Sequence, residues 1–162
     1  MNTSGKILIF GGIALAALGM LYGLHYALFV EHQPLDRLGG ALADGFIQTA
    51  QRRLPEANAA IDVYGSTRYN YVRQVDVHSH WIGLAMLMIV LGAVFGRVGF
   101  SEQVRRWIAL ALLAGSILFP FGVMVQAATH GGMLASALAV GGSALVTVGL
   151  AASAIGFVRQ SS

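Results

Sequence analysis

Five histidines and no cysteine set the chemistry open to this chain. Imidazole is the commonest metal ligand and the one side chain that titrates near neutral pH. Without cysteine there is no disulfide, thiolate metal site or cysteine nucleophile. His78 and His80 lie two apart in the segment His78-Ser79-His80. On a helix such residues point in nearly opposite directions, so the pair does not by itself build a compact zinc site. No glutamate lies one helical turn from a histidine within an apolar run, which argues against a di-iron carboxylate centre. One histidine from each of two helices is what a six-coordinate heme needs. The candidates are His78, His130, His25 and His80, and Met86, Met88, Phe29, Phe119 and Phe121 would suit a porphyrin wall. Those apolar residues serve equally well as ordinary core or lipid-facing positions. A second reading is a copper- or other metal-binding site of His78, His80 and Asp76 with His25 or His130, since nitrogen and carboxylate ligands suit copper(II), zinc or non-heme iron. A third is an accessory subunit whose histidines only hydrogen-bond. His32 reads as an interfacial residue.

What could hold such residues in place follows from composition. Of 162 residues, 56% are hydrophobic and 10% charged, against about a quarter charged in a soluble domain. Lipid can hold such a chain folded where water cannot. The expected fold is all-α: a four-helix transmembrane bundle, one integral membrane domain over 1–162. A span needs about 20 mostly apolar residues. Four stretches qualify, at about 7–30, 78–96, 107–128 and 133–158. The first resembles a signal peptide at Lys6, but its apolar run is too long for a signal core and no small-x-small site ends it, so it reads as an uncleaved helix. The third contains Pro120, which predicts a kink. The fourth is rich in small residues, from Gly132 and Ser136 through Gly141, Gly142 and Ser143 to Gly149 and Ser153, and predicts close packing in the bundle or between subunits of a homo-oligomer.

Orientation follows from the basic residues. Lys6, Arg97, Arg105, Arg106 and Arg159 fall on one side of a four-span chain, which the positive-inside rule makes cytoplasmic, with both termini. Their small groups beside apolar runs read as membrane anchors, not as a nucleic-acid surface. The outer loop then covers 31–77, where Leu38, Leu42, Phe46, Ala50 and Leu54 recur every fourth residue. That stripe predicts an amphipathic surface helix over 36–54 in the first extracytoplasmic loop, ended by Pro55. The tyrosine-rich stretch Tyr64 to Asp76 leads into the second span. If His78 and His80 were in the loop, only Trp81 to Phe95 would remain, too short to cross. Both therefore belong to the helix. All five histidines gather at the outer face, and ionisable groups inside spans mark function by default.

The segment from Arg73 through Asp76-Val77-His78-Ser79-His80-Trp81-Ile82-Gly83-Leu84 to Gly92 and Gly96 resembles the second helix of the catalytic subunit of heme-copper oxidases and nitric oxide reductases. It is more similar still to short, four-span relatives of that subunit, with their His-x-His and glycine-rich apolar run. The resemblance covers about 25 residues. It implies that His78 ligates a low-spin heme. The large subunit has many more spans, with a second heme and a copper ion on later helices. This chain has no match to those helices, so the resemblance does not extend to oxygen reduction. The second axial ligand must then be local, with His130 and His25 the candidates, or come from another subunit. The implied protein is a membrane-bound carrier of heme b in the inner (plasma) membrane of a bacterium. It would serve electron transfer or small-gas binding at the outer face, an oxidoreductase if an enzyme, with a redox partner or respiratory subunit beside it.

Overall fold

The computed structural model describes residues 2–129 and 131–160. The described residues form five α-helices and no strand. These are α1 (Thr3–Phe29), α2 (His32–Ala50), α3 (Leu54–Val94), α4 (Glu102–Thr129) and α5 (Met133–Gln160), with a short 3₁₀ turn at Phe95–Arg97. Helices α1, α3, α4 and α5 are long and apolar enough to cross a membrane. This is the all-α, four-span architecture with an additional helix between the first two spans. Large apolar side chains such as Phe10, Leu18, Met20, Val90, Val140 and Val148 face outward, as lipid contact requires.

Helices α1 and α3 run antiparallel with their backbones in contact. Gly12 lies against the Ala85 carbonyl, Gly92 against the Gly5 carbonyl, and Gly19 against Trp81. Gly5, Gly12 and Gly19 are seven apart, close to two turns, so they share one face. Between lipid-soaked helices the gain comes from van der Waals contact, which small residues permit. Helix α4 closes a triangle on this pair. Leu8, Leu15, Ala85, Met88, Phe95, Val98, Ala109 and Leu112 form the main buried cluster. Helix α5 packs on α4 through Ala139, Gly142, Val146 and Gly149, alternately three and four apart, and its Gly156 lies against Val98 and Phe100 just before α4. Gly142 lies on the backbone of Phe119, and Gly122 on that of Ala139. The small residues of the last helix thus make an intrachain contact. Pro120 sits fully buried within an uninterrupted α4.

At the end carrying the termini, Glu102 ties three elements together. Its carboxylate accepts the Ser4 backbone N–H at 2.8 Å and the Arg105 guanidinium at 2.9 and 3.1 Å. Arg105 also donates to the carbonyls of Gly96 and Val98. An anion at the first turn of α1 satisfies amides that have no helical partner there.

The region 31–77 differs from expectation. It is helical nearly throughout, and the second span is one piece with it: α3 runs 41 residues from Leu54, not from His78. Pro55 begins α3 instead of ending the preceding helix, because a first-turn proline lacks only an N–H that would be unpaired anyway. Tyr64 to Asp76 contains nothing but Gly65 to oppose a helix, so polarity alone did not break it. Helix α2 covers 32–50 and ends in a tight turn with Arg52 at φ 60°. It pairs with the polar part of α3 as a helical hairpin, through Pro34, Leu38, Ala41, Gly45 and Gln48 against buried Ala57, Ala60 and Thr67. Beyond Leu38 the apolar stripe does not face α3: Leu42 is 49% and Phe46 70% exposed, while Leu54 belongs to α3. Small residues win the contact because they allow closer approach.

Candidate functional site

His78 lies on α3 where α3 meets the C-terminal half of α1. Its Nδ1 is 2.9 Å from the Gly19 carbonyl. Its ring rests over Gly23, where a methyl group would fall 2.5 Å from Nδ1 and Cε1. Glycines at 19 and 23, one turn apart, make a saddle that only a bare backbone provides. One ring nitrogen is thereby fixed on a carbonyl, and Nε2 has no hydrogen-bond partner among the described residues. Ligating imidazoles are commonly held in this way, with Nδ1–H on a carbonyl and Nε2 toward the metal.

His80 turns the other way, as the helical spacing requires. Its Nδ1 meets the Asp76 carbonyl at 2.5 Å, and its ring stands edge-on to Phe119 of α4 at 4.6 Å. The two histidines of the motif therefore address different helices. His25 lies exposed beside Phe29, with 5.5 Å between ring centres. His32 opens α2 and is exposed. His130 lies outside the described residues. Among the described residues, no group of three histidines or carboxylates gathers at one point. Met88 is buried in the α1–α3 core, while Phe29, Met86 and Phe121 face outward, so the apolar residues weighed as a porphyrin wall do not line one cavity.

Around His78 the structure collects residues that the histidine count passed over. The Tyr22 hydroxyl donates to Gln74 Oε1. The Tyr71 hydroxyl donates to Glu31 Oε1 at 3.1 Å. The Tyr22 ring stacks on Tyr26 at 6.5 Å and meets Trp81 edge-on at 5.4 Å. The Trp81 indole N–H is buried and has no partner among the described residues. Two openings flank the Tyr22–Gln74 contact. One, of about 240 Å³, is lined by Gly23, Tyr26, Glu31 and His78. The other, of about 330 Å³, is lined by His25, Tyr26, Asn70 and Tyr71. His78 and His25 thus open into different spaces. The signal for this cluster is present in the sequence: Tyr22 and Tyr26 are four apart, Tyr71 and Gln74 three apart, so each pair shares a helix face. Comparison with known families, curated proteins and solved structures returns no match to this chain.

Proposed function

We propose that this chain is a membrane-bound b-type heme protein with His78 as an axial ligand. The observation that carries the reading is the His78 ring, pinned through Nδ1 to the Gly19 carbonyl over the Gly23 saddle, with Nε2 unengaged among the described residues. The imidazole is held as an axial ligand is commonly held: the carbonyl fixes tautomer and ring plane, and the glycines leave room for the ring. Bound heme would supply a one-electron couple or an iron that takes a small gas. His130 and His25 are the candidate partner ligands: His25 opens into the other cavity, and His130 lies outside the described residues. His80, held on Asp76 and against Phe119, is a positioning residue on the α4 side. The copper reading is weaker, since His78 and His80 diverge.

The absorption spectrum of the purified full-length protein tests the proposal. A Soret band with sharp α and β bands on reduction is the expected result. Stoichiometric copper without a Soret band supports the second reading, and neither signal leaves an accessory, structural role.

The orientation we assign puts both termini in the cytoplasm of a bacterial cell and the α2–α3 hairpin outside, because Lys6, Arg97, Arg105, Arg106 and Arg159 gather at the termini end. Single cysteines at Ser66, exposed on the hairpin, and Ser101, exposed between α3 and α4, test it. An impermeant reagent added to whole cells should label position 66 and spare 101. The reverse pattern would invert the topology.

A further inference from the structure

The α2–α3 hairpin carries an apolar face that no described residue covers. Gly45 of α2 meets Ala60 of α3, and from that contact each step back along α2 is one step forward along α3. Turning about 100° per residue from the contact line, Leu35, Leu42 and Phe46 leave α2 on one flank. Leu54, Ile61 and Val72 leave α3 after a similar turn. Because the helices are antiparallel, both sets come to the same side of the pair. All six are exposed. Helix α4 meets α3 on the opposite flank, through Val77 and His80, and α5 lies beyond it. The apolar face is therefore unobstructed, and toward the membrane it continues into the lipid-facing side of α1 and α3 at Met20 and Met86.

Lipid covers that side within the spans. It does not reach the hairpin, because α3 carries the hairpin on the axis of its own span. From Val72 to Leu54 the helix rises about 27 Å away from the membrane, which leaves Leu42, Phe46 and Ile61 in water. An apolar helix face needs a second layer. Two features of the face suit another copy of itself. Gly39 and Gly65 lie on it within one residue of the same level, and a Cβ on either would meet nothing. Glycine weakens a helix, and bare backbone finds its use where another helix comes close. Arg68, on the face, and Asp36, at its rim, have no ion pair among the described residues.

We infer that the hairpins of two copies pack face to face as a four-helix bundle outside the bilayer. Both copies stand the same way in one membrane, so the twofold axis runs along the hairpins and preserves level. Helix α2 of one copy then faces α3 of the other at the levels at which it faces its own. Leu42 and Phe46 of one copy meet Ile61 of the other, and Gly39 meets Gly65. Leu35 enters a concavity of about 520 Å³ along α3, lined by Gly65, Arg68 and Val72. Arg68 passes over Gly39 of the other copy to its Asp36. Every neighbouring pair of helices is antiparallel, as in up-and-down bundles. Tethering to one membrane raises the effective concentration of the two faces. The inference goes beyond the heme reading and does not rest on it.

The chain has no cysteine, so introduced thiols report only on the positions chosen. Two differently tagged full-length forms, Leu42→Cys and Ile61→Cys, co-expressed in one cell and oxidised in its membranes, should give a cross-linked dimer carrying both tags. Leu42→Cys with Ser66→Cys, which lies on the opposite flank, should not. Light scattering of the solubilised protein should report a dimer, which Phe46→Glu weakens by about tenfold or more with unchanged helix content. Arg68→Asp and Asp36→Arg should each weaken the dimer alone, and co-expression of the two should restore it, because the mixed pair again opposes unlike charges. Equal cross-linking at positions 61 and 66, a dimer indifferent to Phe46→Glu, or no rescue in the mixed charge pair would each overturn the inference. So would a monomeric wild-type protein, whether position 46 is then covered by lipid, read by quenching with brominated lipid, or by a different protein.

Discussion

His78→Ala is expected to strip most bound heme from the protein or to turn its spectrum high-spin, the largest functional effect of any single substitution. The side chain is the proposed ligand, and no other imidazole among the described residues shares its cavity. A second variant separates ligation from simple presence. Gly23→Ala leaves His78 intact but places a methyl 2.5 Å from its ring, so the imidazole must leave the Gly19 carbonyl. Disturbing the group that orients a ligand commonly costs about 10–100-fold in affinity or activity. Gly23→Ala should therefore lower heme occupancy by about tenfold or more. His32→Ala, at an exposed position outside both cavities, should leave the spectrum as it was. An unchanged low-spin spectrum in His78→Ala refutes the assignment. If His80→Ala alone loses it, the roles of the two motif histidines are exchanged.

Leucine at Gly122 or Gly142 should separate α5 from α4. At both positions a Cβ would collide with backbone of the opposing helix, Ala139 in one case and Phe119 in the other. Backbone cannot rotate away as a side chain can. Overpacking a formed interface typically costs about 1–3 kcal/mol, and leucine at a backbone contact should reach the upper end or beyond. Gly141 is the control. It neighbours Gly142 in sequence but faces open space, so Gly141→Leu should be neutral or stabilising by up to about 1 kcal/mol through helix propensity. Thermal unfolding in detergent compares them. Equal destabilisation at 141 and 142 would contradict this packing.

The spans were legible because twenty-residue apolar runs have few other uses, and the small-residue spacing of α5 foretold a tight helix contact. The divergence of His78 and His80 was legible from helical geometry alone. In the region 31–77 the helix between the first two spans was legible, but the extent of α3 was not. The apolar stripe at Leu42 and Phe46 reads as the face of a surface helix, and both residues are exposed, but periodicity does not say which residues meet the neighbouring helix. The cover went to Ala41, Gly45, Ala57 and Ala60, whose merit is smallness, a property that hydropathy does not register. Pro55 was ambiguous for a similar reason, since proline both follows helices and starts them. The tyrosine cluster escaped because its members come from two helices, and only the antiparallel register of α1 and α3 brings Tyr22 to Gln74 and Glu31 to Tyr71.

The unbroken length of α3 has a mechanical consequence. From Leu54 to Asp76 the rise per residue gives an arm of about 34 Å, rigidly continuous with the segment that carries His78. The bearing of that arm is the line of glycine contacts with α1, and the imidazole sits at its outermost point. A load applied at the hairpin tip is therefore met first by the Tyr71–Glu31 and Tyr22–Gln74 contacts and then by the His78 ring on the Gly19 carbonyl. With no loop between them to absorb the motion, a push on the hairpin and a change at the imidazole are two ends of one lever.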